Sequence, residues 1–301
     1  MIKLIVTDLD NTIYNWVDFY VPAFNAMLKE LNHISGISER QLKQAFKRVH
    51  QKHKTTEYAF AIEELDVLPE VQQGKPPRYI REKYDVAIEA FRRTRNEKLR
   101  MYEGVASTLE QLRQEERKTI AHSDAMMFYA LYRLKQLKAE NLFDGILAAK
   151  DHGIPTHHED RDLERWQHSY DTPIPYKREL PSEIAKPNPQ CLAGLLSDFN
   201  VLPKEAIYVG DSLNKDIKMA QECSVYDVYA EYGRHYNQDN YEELIEISHW
   251  ASNDISRETE SIIKDVQPSF VISRFAELND VIRRIESSGL CTKSRSCSAA
   301  S

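Results

Sequence analysis

The sequence predicts an α/β fold: a three-layer, doubly wound parallel sheet with helices on both faces and a helical insertion near its start. Three observations carry this. Short apolar runs rich in β-branched residues recur near residues 2–7, 118–122, 145–149, 206–210 and 225–230. Helical patterns separate most of them, and such alternation defines a parallel sheet. The first run ends directly in Asp8-Leu9-Asp10-Asn11-Thr12, which puts two carboxylates where a strand passes into a loop, the ligand-binding edge of open α/β sheets. The gap between the first two runs is far longer than one crossover helix requires.

Taken in order, residues 2–7 form a run short and β-branched enough to be a buried strand. In extended backbone, residues i and i+2 point the same way, so Asp8 and Asp10 address one small volume. Two like charges so close need a cation, a shared proton or open water; the simpler alternative is an Asp-rich turn closing a surface strand. Residues 18–34, 38–53, 57–66 and 78–98 have amphipathic spacing. About 15–100 therefore forms an α-helical domain set between residues 1–14 and 101–286 of the sheet-bearing core, with an internal loop at Pro69 and Gly74-Lys75-Pro76-Pro77.

The second strand, 118–122, leads into Ser123-Asp124, and the third, 145–149, leads into 151–185. That stretch holds prolines, charges and aromatic residues without a clean period, which marks a loop-rich insertion. It leaves the sheet at the C-terminal end of a strand and serves either as a second lid element or as an association surface. Its His157-His158-Glu159-Asp160 invites a metal reading, although adjacent histidines on a polar loop are ordinarily just solvated. Lys186-Pro187-Asn188-Pro189 precedes a helix, and the strand 206–210 runs into Gly210-Asp211-Ser212-Leu213-Asn214-Lys215-Asp216. Residues 241–245 and 258–265 look helical. The end, 287–301, is Ser-rich and lacks a core pattern, so a disordered tail is expected.

Composition narrows the function classes. A chain of 301 residues can bury one large or two modest cores. The net charge of −7, with both signs interspersed, gives no polyanion-binding surface, so nucleic acid is not expected as a general partner. Cys191, Cys223, Cys291 and Cys297 include no CxxC pair, which argues against a structural zinc site or a disulfide framework. A reducing cytoplasm is the simplest home. No basic-apolar-cleavage pattern opens the sequence, and no apolar run approaches the roughly 20 residues that cross a bilayer. A soluble, unprocessed protein without a membrane partner is expected, its oligomeric state open and a homodimer among the options.

The ordered set of Asp8-Leu9-Asp10-Asn11-Thr12, Ser123-Asp124, Lys186-Pro187-Asn188-Pro189 and Gly210-Asp211 through Asp216 resembles the haloacid dehalogenase superfamily of phosphohydrolases, whose core is Rossmann-like. The resemblance covers most of residues 1–230 and rests on the order and context of the four motifs together. It implies that 15–100 is a cap closing over the active site, and that 269–272 and 276–278 are the last short strand and helix of the core. By the same resemblance Asp8 is the nucleophile, forming an aspartyl-phosphate, and Asp10 protonates the departing oxygen and later takes a proton from water. The superfamily's dehalogenases lack an acid at this second position, so Asp10 implies phosphoryl rather than carbon–halogen chemistry.

The resemblance also implies Mg²⁺, held by the Asp8 carboxylate, the Asp10 backbone carbonyl and the Asp211 carboxylate. Hard oxygen donors suit that ion. Thr12 and Asp216 are supporting residues, Asp216 steadying Asp211 or the lysine. Ser123, Asp124 and Lys186 would meet the phosphate, the Ser123 hydroxyl and nearby N–H groups donating to it and the compact Lys186 ammonium pairing with Asp8 and the phosphoryl oxygens. On their own, Gly210-Asp211 reads as a helix N-cap and Lys186 as a surface lysine.

Several residues stay two-sided. His122 reaches the site or is a satisfied core histidine. Tyr14, Trp16, Phe19 and Tyr20 line the hinge or leaving-group pocket, or are simply core. Arg48, His50, Lys52, His53, Lys54, Thr55, Thr56 and Glu57 recognise substrate or form a solvated helix end. The expected activity is Mg²⁺-dependent hydrolysis of a small phosphorylated metabolite, with a phosphomutase and a non-catalytic binding protein as the alternatives.

Overall fold

A computed structural model of the protein describes residues 1–151, 170–181, 184–250 and 266–296, with the backbone alone for 289–296. The parallel sheet expected from the alternation is present, with seven strands in the order β4-β3-β2-β1-β5-β6-β7. These are β1 (Leu4–Thr7), β2 (Lys118–Met126), β3 (Gly145–Ala149), β4 (Tyr176–Leu180), β5 (Ala206–Gly210), β6 (Tyr226–Ala230) and β7 (Phe270–Ile272), each parallel to its neighbour. From β1 the chain winds outward through β2, β3 and β4, then returns to lay β5 on the other side of β1. The switch point between β1 and β5 is the crevice where such sheets bind ligands, and Asp8 begins there, its N–H donating to the Val209 carbonyl at 2.9 Å.

Alternation along β1 feeds two cores: Leu4 and Val6 pack with Ile120, Leu147 and Tyr208 on one face, and Ile5 with Ala121, Ile207 and the larger cluster on the other. Helices cover both faces. The region before β2 contains α1 (Trp16–Ser35), α2 (Glu39–His53), α3 (Pro69–Gln72), α4 (Pro77–Lys83), α5 (Asp85–Lys98) and α6 (Val105–Gln114). The Asn15 and Ser38 side chains cap the orphan N–H groups that open α1 and α2, and Gly36, at φ 70°, closes α1 in the left-handed region. Further on lie α7 (Met127–Gln136), α8 (Pro189–Asp198), α9 (Lys218–Glu222), α10 (Gln238–Ile247) and α11 (Leu278–Ser296).

Four expectations change. The loop-rich insertion is shorter than 151–185, because its end is β4, the sheet's edge strand. Lys177, Arg178 and Glu179 hide it in the sequence, and charge of that kind is how an edge resists further pairing. Strand β2 runs four residues past 122, so Ser123 and Asp124 sit inside it, at a register shift between Ser123 and Met126. The helix expected over 57–66 is reduced to a single tight turn, Ala61–Glu64. The tail expected to be disordered from 287 instead continues α11 to Ser296, propagated from the buried stripe Leu278, Val281, Ile282 and Ile285. The helix expected at 258–265 and the His157–Asp160 cluster lie outside the described residues.

One element crosses the division drawn from sequence. Helix α10 follows the sixth strand but packs on α1 and α2: Asn25 Nδ2 donates to Glu243 at 2.7 Å, Lys43 pairs with Glu243 at 2.7 Å and Glu246 at 3.3 Å, and His50 Nδ1 meets the Ile247 carbonyl at 2.7 Å. Among the described residues no helix is long and apolar enough to cross a membrane.

Candidate active site

The loop after β1 turns sharply because Asn11 adopts φ 59°, a conformation Asn tolerates better than most residues. The Asn11 Oδ1 accepts from Trp16 N–H at 3.0 Å, tying the loop to the start of α1. Asp8 is buried at the base of this loop, beside Lys186. The Lys186 ammonium donates to Asp8 Oδ1, to Asp216 Oδ1 at 2.7 Å and to the His122 carbonyl at 3.5 Å. One side chain thus links the end of β1 and the interior of β2 to the turn after β5.

Asp216 enters on a wide helical turn, Leu213–Ile217, and its other oxygen accepts from Ser212 N–H at 3.1 Å. Gly210 makes that approach possible: a Cβ there would meet Asp216 Cβ at 2.5 Å. Asp8, Asp211 and Asp216 bring carboxylate oxygens within 4.8 Å of one another. Burial raises the Asp8 pKa well above the usual carboxylate range, against the pull of Lys186 and with Asp216 and Asp211 pushing the same way. Burial alone would lower Lys186, but Asp216 and Asp8 outweigh it and hold the ammonium charged. Lys186 contacts two of these carboxylates, Asp8 and Asp216, and Asp211 lies beside them. An all-oxygen donor set of this kind fits a hard divalent cation.

Asp10 leads elsewhere. Its carboxyl accepts from Arg133 on α7 at 3.0 Å, and the same guanidinium bonds Glu57 of the helical region. Burial raises the Asp10 pKa despite the opposing pull of Arg133. Thr12 is buried, and its carbonyl accepts from the Tyr232 hydroxyl at 2.6 Å. Ser123 is buried and its Oγ accepts from Ala125 N–H at 3.0 Å. Asp124 buttresses the site: it receives Lys186 N–H at 2.9 Å and pairs with Lys215 at 3.3 Å. Burial would raise its pKa, but Lys215 and Lys186 bring it below the ordinary value.

The two-sided residues separate. His122 is a core histidine, its Nδ1 3.0 Å from the Tyr208 hydroxyl, with burial and then Lys186 driving its pKa down to about 3. Tyr14 and Phe19 are buried beneath the Arg133 guanidinium. Trp16 stacks on Tyr20 at 5.1 Å, and Tyr20 lines a cavity of about 810 Å³ together with His50, Thr56, Glu57, Arg95 and Arg133. Arg48 and Lys52 are surface ion pairs with Asp66 and Glu64. Arg133 was missed in the sequence. The available signal was a guanidinium in an apolar register, since Ala130, Arg133 and Leu134 fall on one helical stripe and all are buried.

A parallel sheet whose switch point gathers acids around a buried lysine, beside a helical region with its own cavity, is a doubly wound α/β architecture with its candidate site at the carboxyl ends of the strands. The chain belongs to the haloacid dehalogenase-like hydrolases, whose family model matches residues 2–223. No curated protein matches it in sequence. Among solved structures it is similar to a 2-haloacid dehalogenase from Pseudomonas syringae pv. Tomato DC3000 (16% identity, 94% of this chain and 99% of that one, TM-score 0.52). It is equally similar to a HAD phosphatase from Thermococcus onnurineus (16% identity, 93% and 98%, TM-score 0.52). A proposed beta-phosphoglucomutase from Thermotoga maritima follows (14% identity, 94% and 99%, TM-score 0.51). At such identities the likeness is one of fold.

Proposed function

We propose that the protein is a magnesium-dependent phosphomonoesterase acting on a small phosphorylated metabolite through an aspartyl-phosphate. The observation that carries this reading is the division of labour between two carboxylates two residues apart. Asp8 contacts the Lys186 ammonium inside an acidic cluster, whereas Asp10 stands apart on the Arg133 guanidinium. Separated environments are what distinguish a nucleophile from a general acid.

The Asp8 oxygen attacks phosphorus as the ester P–O bond breaks, and Asp10 gives its proton to the departing alkoxide. Water then attacks the phosphoryl group, Asp10 takes the proton, and Asp8 is released as carboxylate with inorganic phosphate. Lys186 neutralises the phosphoryl oxygens and orients Asp8, while Ser123 supplies a hydroxyl from the register shift within the neighbouring strand. Asp8 and Asp211, with the Asp10 carbonyl, would hold Mg²⁺, which supplies charge neutralisation of the phosphate; Asp216 buttresses Lys186. A carbon–halogen substrate would give Asp10 no alkoxide to protonate.

The test is phosphate release from a panel of phosphorylated metabolites with and without Mg²⁺. Release that requires Mg²⁺ and disappears in Asp8→Asn supports the reading. Full activity in chelator-treated protein, or in Asp8→Asn, refutes it, and an isomeric phosphate in place of free phosphate assigns a mutase.

A further inference from the structure

The cavity of about 810 Å³ lies between the helical region and α7 of the core. Arg133 lines it and also bonds Asp10, so one side chain stands between the cavity and the candidate acid. Its walls are aromatic: Tyr20, Phe91, Phe128, Tyr129 and Tyr132 all face it. Four arginines also line it, and three have carboxylate partners. Arg133 bonds Asp10 and Glu57, Arg81 pairs with Glu63 at 2.8 Å, and Arg92 pairs with Glu89.

Arg95 differs. Its guanidinium lies over the Tyr132 ring, 4.2 Å from the centroid, and donates to the Tyr132 hydroxyl at 2.6 Å. No carboxylate among the described residues pairs with it, and its Nε–H is buried without an acceptor. Burial pulls its pKa down, and what opposes burial comes from tyrosines rather than an acid. Arg95 is half-buried, and a charge partly withdrawn from water without an acid beside it is stabilised by one that a ligand brings. Tyr132 and Arg133 are consecutive on α7, so Arg95, stacked on the first, stands in the same chamber as the guanidinium that holds Asp10.

We propose that this cavity takes the leaving group of the phosphate ester and selects an aromatic alcohol bearing a second acidic group, whose negative charge pairs with Arg95. The assignment rests on the phosphatase reading for the first acid, the phosphate. Rings match the walls, whereas a polyol would leave hydroxyls desolvated against them. Arg95 is thereby a specificity-determining residue.

The experiment uses non-hydrolysable phosphonates with the full chain and Mg²⁺, read by calorimetry. 4-Carboxybenzylphosphonate should bind about ten- to a hundredfold more tightly than benzylphosphonate, the range of a charge-assisted hydrogen bond. Arg95→Gln should remove most of that preference and Arg95→Lys should keep part of it. Equal binding of the two ligands to the wild-type protein overturns the proposal, as does a preference unchanged in Arg95→Gln. Cyclohexylmethylphosphonate binding as well as benzylphosphonate overturns its aromatic part. Phosphate release from phenyl phosphate is measured in parallel. A carboxylate preference that depends on Arg95 in a protein releasing no phosphate supports the cavity assignment while the phosphatase reading fails.

Discussion

Replacing Arg133 by Met tests whether the helical region and the general acid are held by one side chain. The Arg133 side chain is only 2% exposed, and both its partners are acids, Asp10 and Glu57, at 26% and 14% side-chain exposure. Methionine fills much of the volume but strands two carboxylates. Removing one member of a buried ion pair costs about 3–5 kcal/mol; the residual exposure of the acids screens them, which puts the expectation near the lower end, about 3 kcal/mol. The urea midpoint at constant m-value reads this directly. Adding Glu57→Gln removes one stranded charge and should restore about 1–2 kcal/mol, a non-additivity that the double-mutant cycle isolates. Kinetically, an unheld Asp10 should slow esters of poor leaving groups more than p-nitrophenyl phosphate. A loss below about 1 kcal/mol, or additivity within about 0.5 kcal/mol, would refute the clamp.

Other outcomes follow from the same geometry. Asp10→Asn should lower kcat about 10²–10⁴-fold on alkyl phosphates and much less on p-nitrophenyl phosphate, as a leaving-group series will reveal; a uniform loss would count against its role as an acid. Burial moves the His50 pKa from 6.5 to about 4, partly opposed by its bond to the Ile247 carbonyl. The unfolded chain therefore binds a proton as pH falls through 6.5 while the folded protein does not. This contribution, about 3 kcal/mol, is fully present above 6.5 and lost as pH falls toward 4. In His50→Gln, which keeps a donor for Ile247, the fall in urea midpoint across that window should shrink. Gly233→Ala would place a Cβ 2.6 Å from Asp211 Cβ and against the Asn11 carbonyl, so Mg²⁺ affinity measured by calorimetry should fall at least tenfold.

The legible parts of this molecule are those where one local rule decides. Strands β1, β3, β5 and β6 are apolar runs buried on both faces, and period alone locates them. The Asp8 and Lys186 stations are legible because acids and lysine stand beside strand ends and a helix start, and the fold brings them together. What stays hidden depends on tertiary partners. β4 reads as charged loop because an edge strand has one neighbour and open solvent. Arg133 and Arg95 look like ordinary helix charges until the opposite wall of the cavity is known. Glu57 closes a polar stretch after α2, but nothing along the chain ties it to an arginine 76 positions later.

The packing of α10 against α1 and α2 has a mechanical consequence. A helical region joined to a sheet by two chain crossings can swing about the line between them, as a door does on two pins. Here the chain returns after β6 with a third attachment, through Glu243, Glu246 and Ile247. A fastening away from the hinge line removes the swing. Any opening above the site would then fall to the short stretch around Thr55–Phe60, which carries Glu57 and lacks regular helix. That stretch would breathe as a flap on a fixed frame, and exchange of its amide hydrogens should run ahead of those in α1 and α2.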